Sequence, residues 1–306
     1  MKQTVSLPLT LSGAQPISTQ VFWPGLLLFL GVLAGSTAVI MIKASTEFPL
    51  LIASYRLFVA AVVLSPLFFR EVRRSETAYT WKQVGWSALP ALALAVHFMT
   101  WVIGARMTQA SNASLLVNML PVALPFFLWV FYRERVTKVE VIGSLIAVSG
   151  VFLLSGASFR ASPQTFLGDL VCLGSMLAFA VYMALGRKNA GRISLWTYLV
   201  PLYTMAGVMC LIVALFFINP IKAYEPHNLL YMLGLGIIPT VIGHSILNYS
   251  MKFFRGQVVG IANLGQIIFA MIMGFIFFQE IPAPIYFAAA GLILCGILTV
   301  MLYNRK

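Results

Sequence analysis

The sequence predicts an all-α integral membrane protein of ten transmembrane helices, built as two inverted five-helix repeats with both termini cytoplasmic. Three observations predict it: an extreme apolar composition, a regular alternation of apolar runs with short charged connections, and self-similarity at a shift of 146 residues. Of the 306 residues, 60% are hydrophobic and only 9% are charged, with a mean hydropathy of +0.94. Soluble chains average about 45–50% apolar and about 25% charged residues. A water-soluble domain with so few charges could not cover its own surface. The same numbers exclude intrinsic disorder, collagen and a small disulfide-stapled domain. At roughly 20 apolar residues per span, the chain has room for about ten membrane helices and little else.

Residues 1–22 form a polar N-terminal tail with one Lys, Lys2. The apolar run after it is about 19 residues long, longer than the roughly 7–15 residues of a signal h-region, and is read as a retained helix. The predicted spans are 23–42, 48–69, 83–104, 111–132, 139–155, 168–186, 195–218, 229–250, 257–278 and 285–303. Each must be helical, because backbone polar groups find no water in hydrocarbon; the residue alternation of a porin strand is absent. Cys172, Cys210 and Cys295 lie inside apolar runs with no CxxC or CxxH spacing and read as small buried hydrophobes. Trp23, Trp81 and Trp196 fall near predicted helix ends, where aromatic belts form.

The net charge of +12 resolves into topology once the basic residues are placed. The N-terminus, the connections after even-numbered spans and the C-terminus carry fifteen: Lys2, Arg70, Arg73, Arg74, Lys82, Arg133, Arg135, Lys138, Arg187, Lys188, Arg192, Lys252, Arg255, Arg305 and Lys306. The connections after odd-numbered spans carry only Lys43, Arg106, Arg160 and Lys222, and Arg56 falls inside the second span. This is the positive-inside pattern of a multi-pass protein of the cell (inner) membrane. The basic excess is topogenic and gives no reason to propose a nucleic-acid partner.

The shift of 146 residues superposes Phe131-Tyr132-Arg133-Glu134 on Phe277-Phe278-Gln279-Glu280, and Gly150 on Gly296. GLLLFLG at 25–31 is similar to GDLVCLG at 168–174. The halves are residues 23–160 and 161–306. Each holds five spans, an odd number, so the second copy enters from the opposite side of the membrane. Inverted repeats of this kind recur in secondary transporters that bind substrate near the midplane. Pro121 in the fourth span aligns with Ile267, so any irregularity it causes is expected to lack a counterpart in the ninth.

Lys43, Pro49, Arg56 and Ala60, the stretch HFMTWVIGARMTQASNASLLVNMLPVALPFFLWVFYRERVT (97–137) and GSLIAVSGVFLL (143–154) resemble the EamA domain of the drug/metabolite transporter superfamily. A glutamate closing the fourth helix, followed by a small-residue pattern in the fifth, is the most specific part. The second half repeats it more loosely in GIANLGQIIFAMIMGFIFFQE (260–280) and AAGLILCGILTVML (289–302). The resemblance implies a ten-helix carrier, commonly an exporter of amino acids or other small metabolites, whose fifth and tenth helices buttress a cavity formed by the other eight.

Polar groups deep in a membrane helix default to functional candidates. His97 and Trp101 are four apart on the third span, and His244 and Asn248 four apart on the eighth, so each pair shares a helix face. Asn118 on the fourth span and Asn263 with Gln266 on the ninth place amides on paired helices; they serve either as interhelical glue or as cavity lining. Tyr182 and Tyr203 are weaker candidates, since a Tyr can satisfy its hydroxyl locally. Arg56, about eight residues into its span, could snorkel outward or bind a substrate carboxylate, although its place in a resemblance that covers diverse substrates favours a structural or gating role. The fifth and tenth spans offer small-residue faces, Gly143, Ala147, Gly150, Ala289 and Gly296, and read as peripheral.

No HExxH, GxSxG, P-loop or carboxylate cluster is present, and no acidic residue falls at mid-membrane, so the sequence points away from an enzyme, a metal site, a cofactor or direct ATP drive. The expected partners are a small-molecule substrate and the bilayer, in a monomer or homodimer. The reading is an alternating-access carrier for a small amphipathic metabolite; a channel-like or non-transporting membrane protein is the alternative. Facilitated diffusion, exchange and proton coupling through His97 or His244 stay open at this level.

Overall fold

The computed structural model describes residues 19–75, 78–108, 110–158, 163–189, 193–278 and 284–303. Lys2, Arg160, Arg192, Gln279, Glu280, Arg305, Lys306 and most of the polar tail lie outside the described residues. Those described form a helical bundle with no ladder of strands. In chain order the helices are α1 (Thr19–Ser36), α2 (Ala38–Ala44), α3 (Pro49–Arg74), α4 (Trp81–Gly85), α5 (Ala88–Met107), α6 (Ala110–Val117), α7 (Leu120–Tyr132), α8 (Lys138–Ser158), α9 (Pro163–Asn189), α10 (Leu195–Leu215) and α11 (Pro226–Leu235). A π-helical segment, Gly236–His244, runs on into α12 (Ser245–Ser250), followed by α13 (Gly256–Asn263), α14 (Gly265–Phe278) and α15 (Pro284–Tyr303).

Among the described residues, eight stretches are long and apolar enough to cross a membrane, against the ten expected. They correspond to the predicted spans one to four and six to nine. The fifth and tenth, α8 and α15, are helical where expected but are not among the eight. Several helices outrun their apolar cores: α3 continues to Arg74 and α9 begins at Pro163, because a helix stays the best way to pair its backbone where it passes beyond hydrocarbon. Trp23 and Trp81 are 62% and 88% exposed, as expected of interfacial anchors. Cys172 and Cys210 are buried, whereas Cys295 lies exposed on the outside of the bundle and corrects the expectation for that residue.

Local chemistry sets the helix ends. Pro49 and Pro226 occupy the first turns of α3 and α11, where a missing N–H costs nothing. At the start of α8 the Glu140 carboxylate accepts the Thr137 N–H at 2.7 Å, and the Glu140 N–H donates to the Thr137 hydroxyl at 3.2 Å, a reciprocal capping box. α7 ends at Arg133, which takes the left-handed conformation (φ 55°). Its guanidinium lies 5.0 Å from the Trp129 ring centre.

Packing pairs the two halves helix by helix. α5 packs on α9, α3 on α10, α8 on α15, α7 on α13, and α1 on the π-helical segment. The core is therefore continuous across the halves. The α8–α15 seam is close enough that a Cβ on Gly296 would lie 2.5 Å from the Gly143 carbonyl oxygen, and a Cβ on Gly150 2.7 Å from that of Ala289; small residues allow this approach.

Several spans are interrupted where the bundle is deepest. The first is broken at Thr37, the fourth between Val117 and Leu120, and the ninth at Leu264. Pro121 accounts for the fourth, since it has no N–H for an i−4 bond. The ninth breaks at the matching place with no proline: Leu264 N–H turns to the Ile261 oxygen at 3.1 Å and Ile267 N–H to that of Leu264 at 3.0 Å. The expected asymmetry is thus overturned.

Candidate functional site

A central cavity lies where these interruptions meet. It is small, about 40 Å³ open to the centres of water molecules. Its wall comes from α1 and α2 (Gly35, Ser36, Ala38, Val39), α3 (Arg56), α5 (His97, Phe98, Trp101), α6 and the adjoining break (Ser114, Val117, Asn118), α9 (Phe179), the π-helical segment and α12 (Pro239, Gly243, His244, Leu247), and α13 and α14 (Asn263, Gln266, Ala270). Among the described residues, neither α8 nor α15 contributes to it.

Seven of the ten positions singled out in the sequence converge here: Arg56, His97, Trp101, Asn118, His244, Asn263 and Gln266. Asn248, Tyr182 and Tyr203 do not reach the wall. The amide of Asn248 folds back to donate to the His244 carbonyl at 2.7 Å and also donates to the Tyr182 hydroxyl. Tyr203 is fully buried behind the wall.

Arg56 does not snorkel: its side chain is fully buried. Nε and Nη2 donate to the Thr240 hydroxyl at 3.0 and 2.9 Å, and the guanidinium carbon lies 4.0 Å from the Phe98 ring centre. Thr240 is aimed by the wide π-helical turn, in which its hydroxyl donates five residues back to the Leu235 carbonyl at 2.7 Å. Gly236 lets the segment approach α3, since a Cβ there would lie 2.4 Å from Val59 and 3.0 Å from the Arg56 carbonyl oxygen.

The two histidines face each other with ring centres 6.2 Å apart. His97 Nδ1 lies 2.9 Å from the Ser175 hydroxyl and 3.1 Å from its carbonyl, and its ring stacks on Phe179 at 4.6 Å. His244 is ringed by Phe98, Phe179 and Tyr182, and its Nδ1 is buried without a partner. A row of amides crosses from one half to the other. Gln266 donates to the Asn263 side-chain oxygen at 2.6 Å, Asn263 to that of Asn118 at 2.8 Å, and Asn118 to the Ser114 backbone carbonyl at 2.8 Å.

The EamA-like transporter family profile matches residues 22–156 and again 166–302. The chain belongs to the EamA-like transporter family. Curated relatives of this EamA-like chain include an uncharacterized transporter of Archaeoglobus fulgidus, 25% identical over 87% of this chain and 90% of that protein. A probable terminal-alkyne amino-acid exporter of Streptantibioticus cattleyicolor is 26% identical over 64% of this chain and 65% of its own. Solute carrier family 35 member G1 of mouse is 22% identical over 57% and 50%. A solved crystal structure, 18% identical, shares the fold with a TM-score of 0.76 over 94% of this chain and 99% of that one. The family is one of transporters, so this is a multi-pass membrane transporter and not an enzyme, with a small-molecule substrate.

Polar clusters that sequence reasoning did not single out close both ends of this EamA bundle. At the end carrying Glu47, Arg106 donates to the Ile42, Ser45 and Glu47 carbonyls, Lys222 pairs with the Glu47 carboxylate at 2.6 Å, and Lys43 donates to the Thr108 carbonyl at 2.9 Å. The Thr108 hydroxyl donates to Asp169 at 2.6 Å. Tyr224 donates to the Pro220 carbonyl at 2.6 Å beside Tyr55, and burial, helped by the Tyr55 contact at 2.8 Å, pushes its phenol above the ordinary range. At the opposite end Glu134 lies 3.5 Å from Arg187 and 3.7 Å from Arg255, and Arg255 pairs with Glu140 at 2.8 Å. Arg187 also donates to the Met251 carbonyl and Arg255 to that of Arg135. Most of these contacts join one half to the other, so either end can part only by exchanging partners for water.

Proposed function

We propose that the chain is a secondary transporter that exports a small amphipathic metabolite, an amino acid or a related compound, across the inner membrane by alternating access. Ten helices in two inverted five-helix repeats, residues 23–160 and 161–306 behind a polar tail at 1–22, carry it, with both termini cytoplasmic. The observation that carries the reading is the convergence of seven deep polar or aromatic positions, drawn from both family-matched segments, on one cavity. The packing pattern supports the inverted repeat: exchanging the halves turns the third-on-sixth pair into the first-on-eighth pair and leaves second-on-seventh, fourth-on-ninth and fifth-on-tenth unchanged. The fifteen-to-four split of basic residues supports a cytoplasmic Glu134 end and an outer Glu47 end. With both clusters closed around a cavity of this size, the arrangement fits an occluded conformation, from which each end opens in turn. The amino-acid exporter among the relatives supports the direction and the substrate class.

The cavity wall among the described residues holds no carboxylate, so facilitated diffusion or exchange is the favoured energetics, and proton coupling would have to run through His97 or His244. Reconstitution into liposomes with a panel of labelled amino acids and metabolites tests the function. Counterflow of at least one solute is expected; none for any solute, with correctly folded protein, rejects transport. Transport that follows an imposed pH gradient, and loses that dependence in His97→Ala or His244→Ala, would replace exchange with proton coupling.

A further inference from the structure

Arg56 is the one Lys or Arg in the cavity wall among the described residues, and its hydrogen bonding is incomplete. A hydroxyl offers one proton and two lone pairs. The Thr240 proton goes to the Leu235 carbonyl, and Arg56 Nε and Nη2 take up the lone pairs. Thr240 is saturated, and Phe98 covers a face of the guanidinium. Nη1 is left buried with no partner. The buried carboxylates Glu47, Asp169 and Glu140 are engaged at the two ends of the bundle, and none lines the cavity. A desolvated cation held this way is costly unless a counter-charge is supplied. The planar guanidinium fork matches a carboxylate better than any other common anion of small metabolites except phosphate, and the cavity wall is too poor in further cations for a doubly charged phosphate ester.

We propose that Arg56 Nη1 is the docking point for the carboxylate of the transported solute, so that the carrier selects monocarboxylates, zwitterionic ones included, over their amides and amines. This rests on the transport reading and names the chemistry of its site. Thr240 and Phe98 position the guanidinium, and the solute carboxylate completes the neutralisation that the protein leaves undone. Cargo and counter-charge are then the same group, and the empty carrier carries an unscreened charge that favours reloading.

The test uses the full chain in two formats. In proteoliposomes, counterflow of labelled leucine, or of whichever panel solute gives the largest signal, is competed by leucine, isocaproate, leucinamide and isoamylamine. In detergent, thermal denaturation is followed with isocaproate or isocaproamide added. The two carboxylates are expected to compete at least roughly tenfold better than leucinamide and isoamylamine, the scale of a charged hydrogen bond, and isocaproate alone to raise the denaturation midpoint. Arg56→Gln is expected to abolish both preferences, and Arg56→Lys to restore part of them. Equal competition by amide and acid overturns the proposal and leaves the carrier reading standing. Stabilisation by isocaproate without counterflow of any solute keeps the Arg56 site and removes the carrier. Neither counterflow nor stabilisation removes both. The wild-type comparison stays decisive if Arg56→Gln does not fold, and a purely structural Arg56 predicts no acid-over-amide preference.

Discussion

His97 and His244 occupy matching helices of the two halves and face each other across one cavity, yet they are held in different ways. His97 sits in a regular helix, its Nδ1 beside both oxygens of Ser175 and its ring stacked on Phe179. His244 closes a π-helical segment, and its Nδ1 meets aromatic rings but no partner. α5 carries a satisfied polar group on a regular α-helix. The π-helical segment carries an unsatisfied one on a backbone that Pro239 and the wide turn have already loosened, a form of helix found at functional sites. We infer from this difference that the α5 wall of the cavity is the fixed one and the π-helical wall the movable one.

The comparison breaks most directly at the joint between the movable wall and α3. Gly236→Val inserts a side chain where Val59 and the Arg56 carbonyl already sit, and overpacking of this kind costs ~1–3 kcal/mol. The expected result is the largest fall in thermal stability among the variants considered, together with loss of counterflow. Thr240→Val keeps the shape but removes the hydroxyl that accepts both Arg56 hydrogen bonds. A loss of about 1–3 kcal/mol is expected, with counterflow falling at least as far as in Arg56→Lys; unchanged transport would show that Thr240 does not position the guanidinium.

The histidines sharpen the comparison further. His97→Leu forfeits the Ser175 contacts and should cost roughly 1 kcal/mol, whereas His244→Leu removes a buried group with no partner and should leave the denaturation midpoint unchanged or raised. Both are expected to impair transport, so stability and function should separate at His244 and move together at His97. A larger loss of stability in His244→Leu would reverse the assignment of fixed and movable walls. Arg255→Ala removes a partly exposed partner from the buried Glu140, which keeps the Thr137 N–H, and a loss of about 1–2 kcal/mol is expected. It releases Glu134 and Glu140 at one end, and it should change the rate of counterflow more than its half-saturation.

Much of the fold and part of the cavity are legible in the sequence, for identifiable reasons. Bilayer thickness fixes the length of an apolar run, so the helices appear where the runs do. Arg56, His97, Asn118 and Gln266 stand out because a polar side chain among apolar ones has few ordinary explanations. Ser175, Thr240, Phe98 and Phe179 do not stand out, since their roles depend on which helix crosses beside them. α-Helical spacing puts Asn248 on the His244 face, but its amide satisfies the His244 carbonyl and Tyr182 instead of turning outward. The break at Leu264 has no proline to announce it; only the tertiary setting reveals it. In the sequence Lys43, Arg106 and Lys222 are a topological remainder, the few basic residues on the sparse side. Each in fact makes a buried or half-buried bond there, so scarcity on that side was itself the signal of structural use.

The row of amides from Gln266 to Ser114 has a direction, and a single atom sets it. A backbone carbonyl can only accept, so Asn118 must offer its nitrogen to Ser114 and its oxygen to Asn263. Asn263 then presents its oxygen to Gln266, and Gln266 is obliged to spend its nitrogen on Asn263. Gln266 is left with its oxygen and the second hydrogen of its amide nitrogen. One peptide oxygen in the first half therefore fixes, three side chains away, which way round the Gln266 amide of the second half sits, and the row runs with one polarity, from a donor at Gln266 to an acceptor at Ser114.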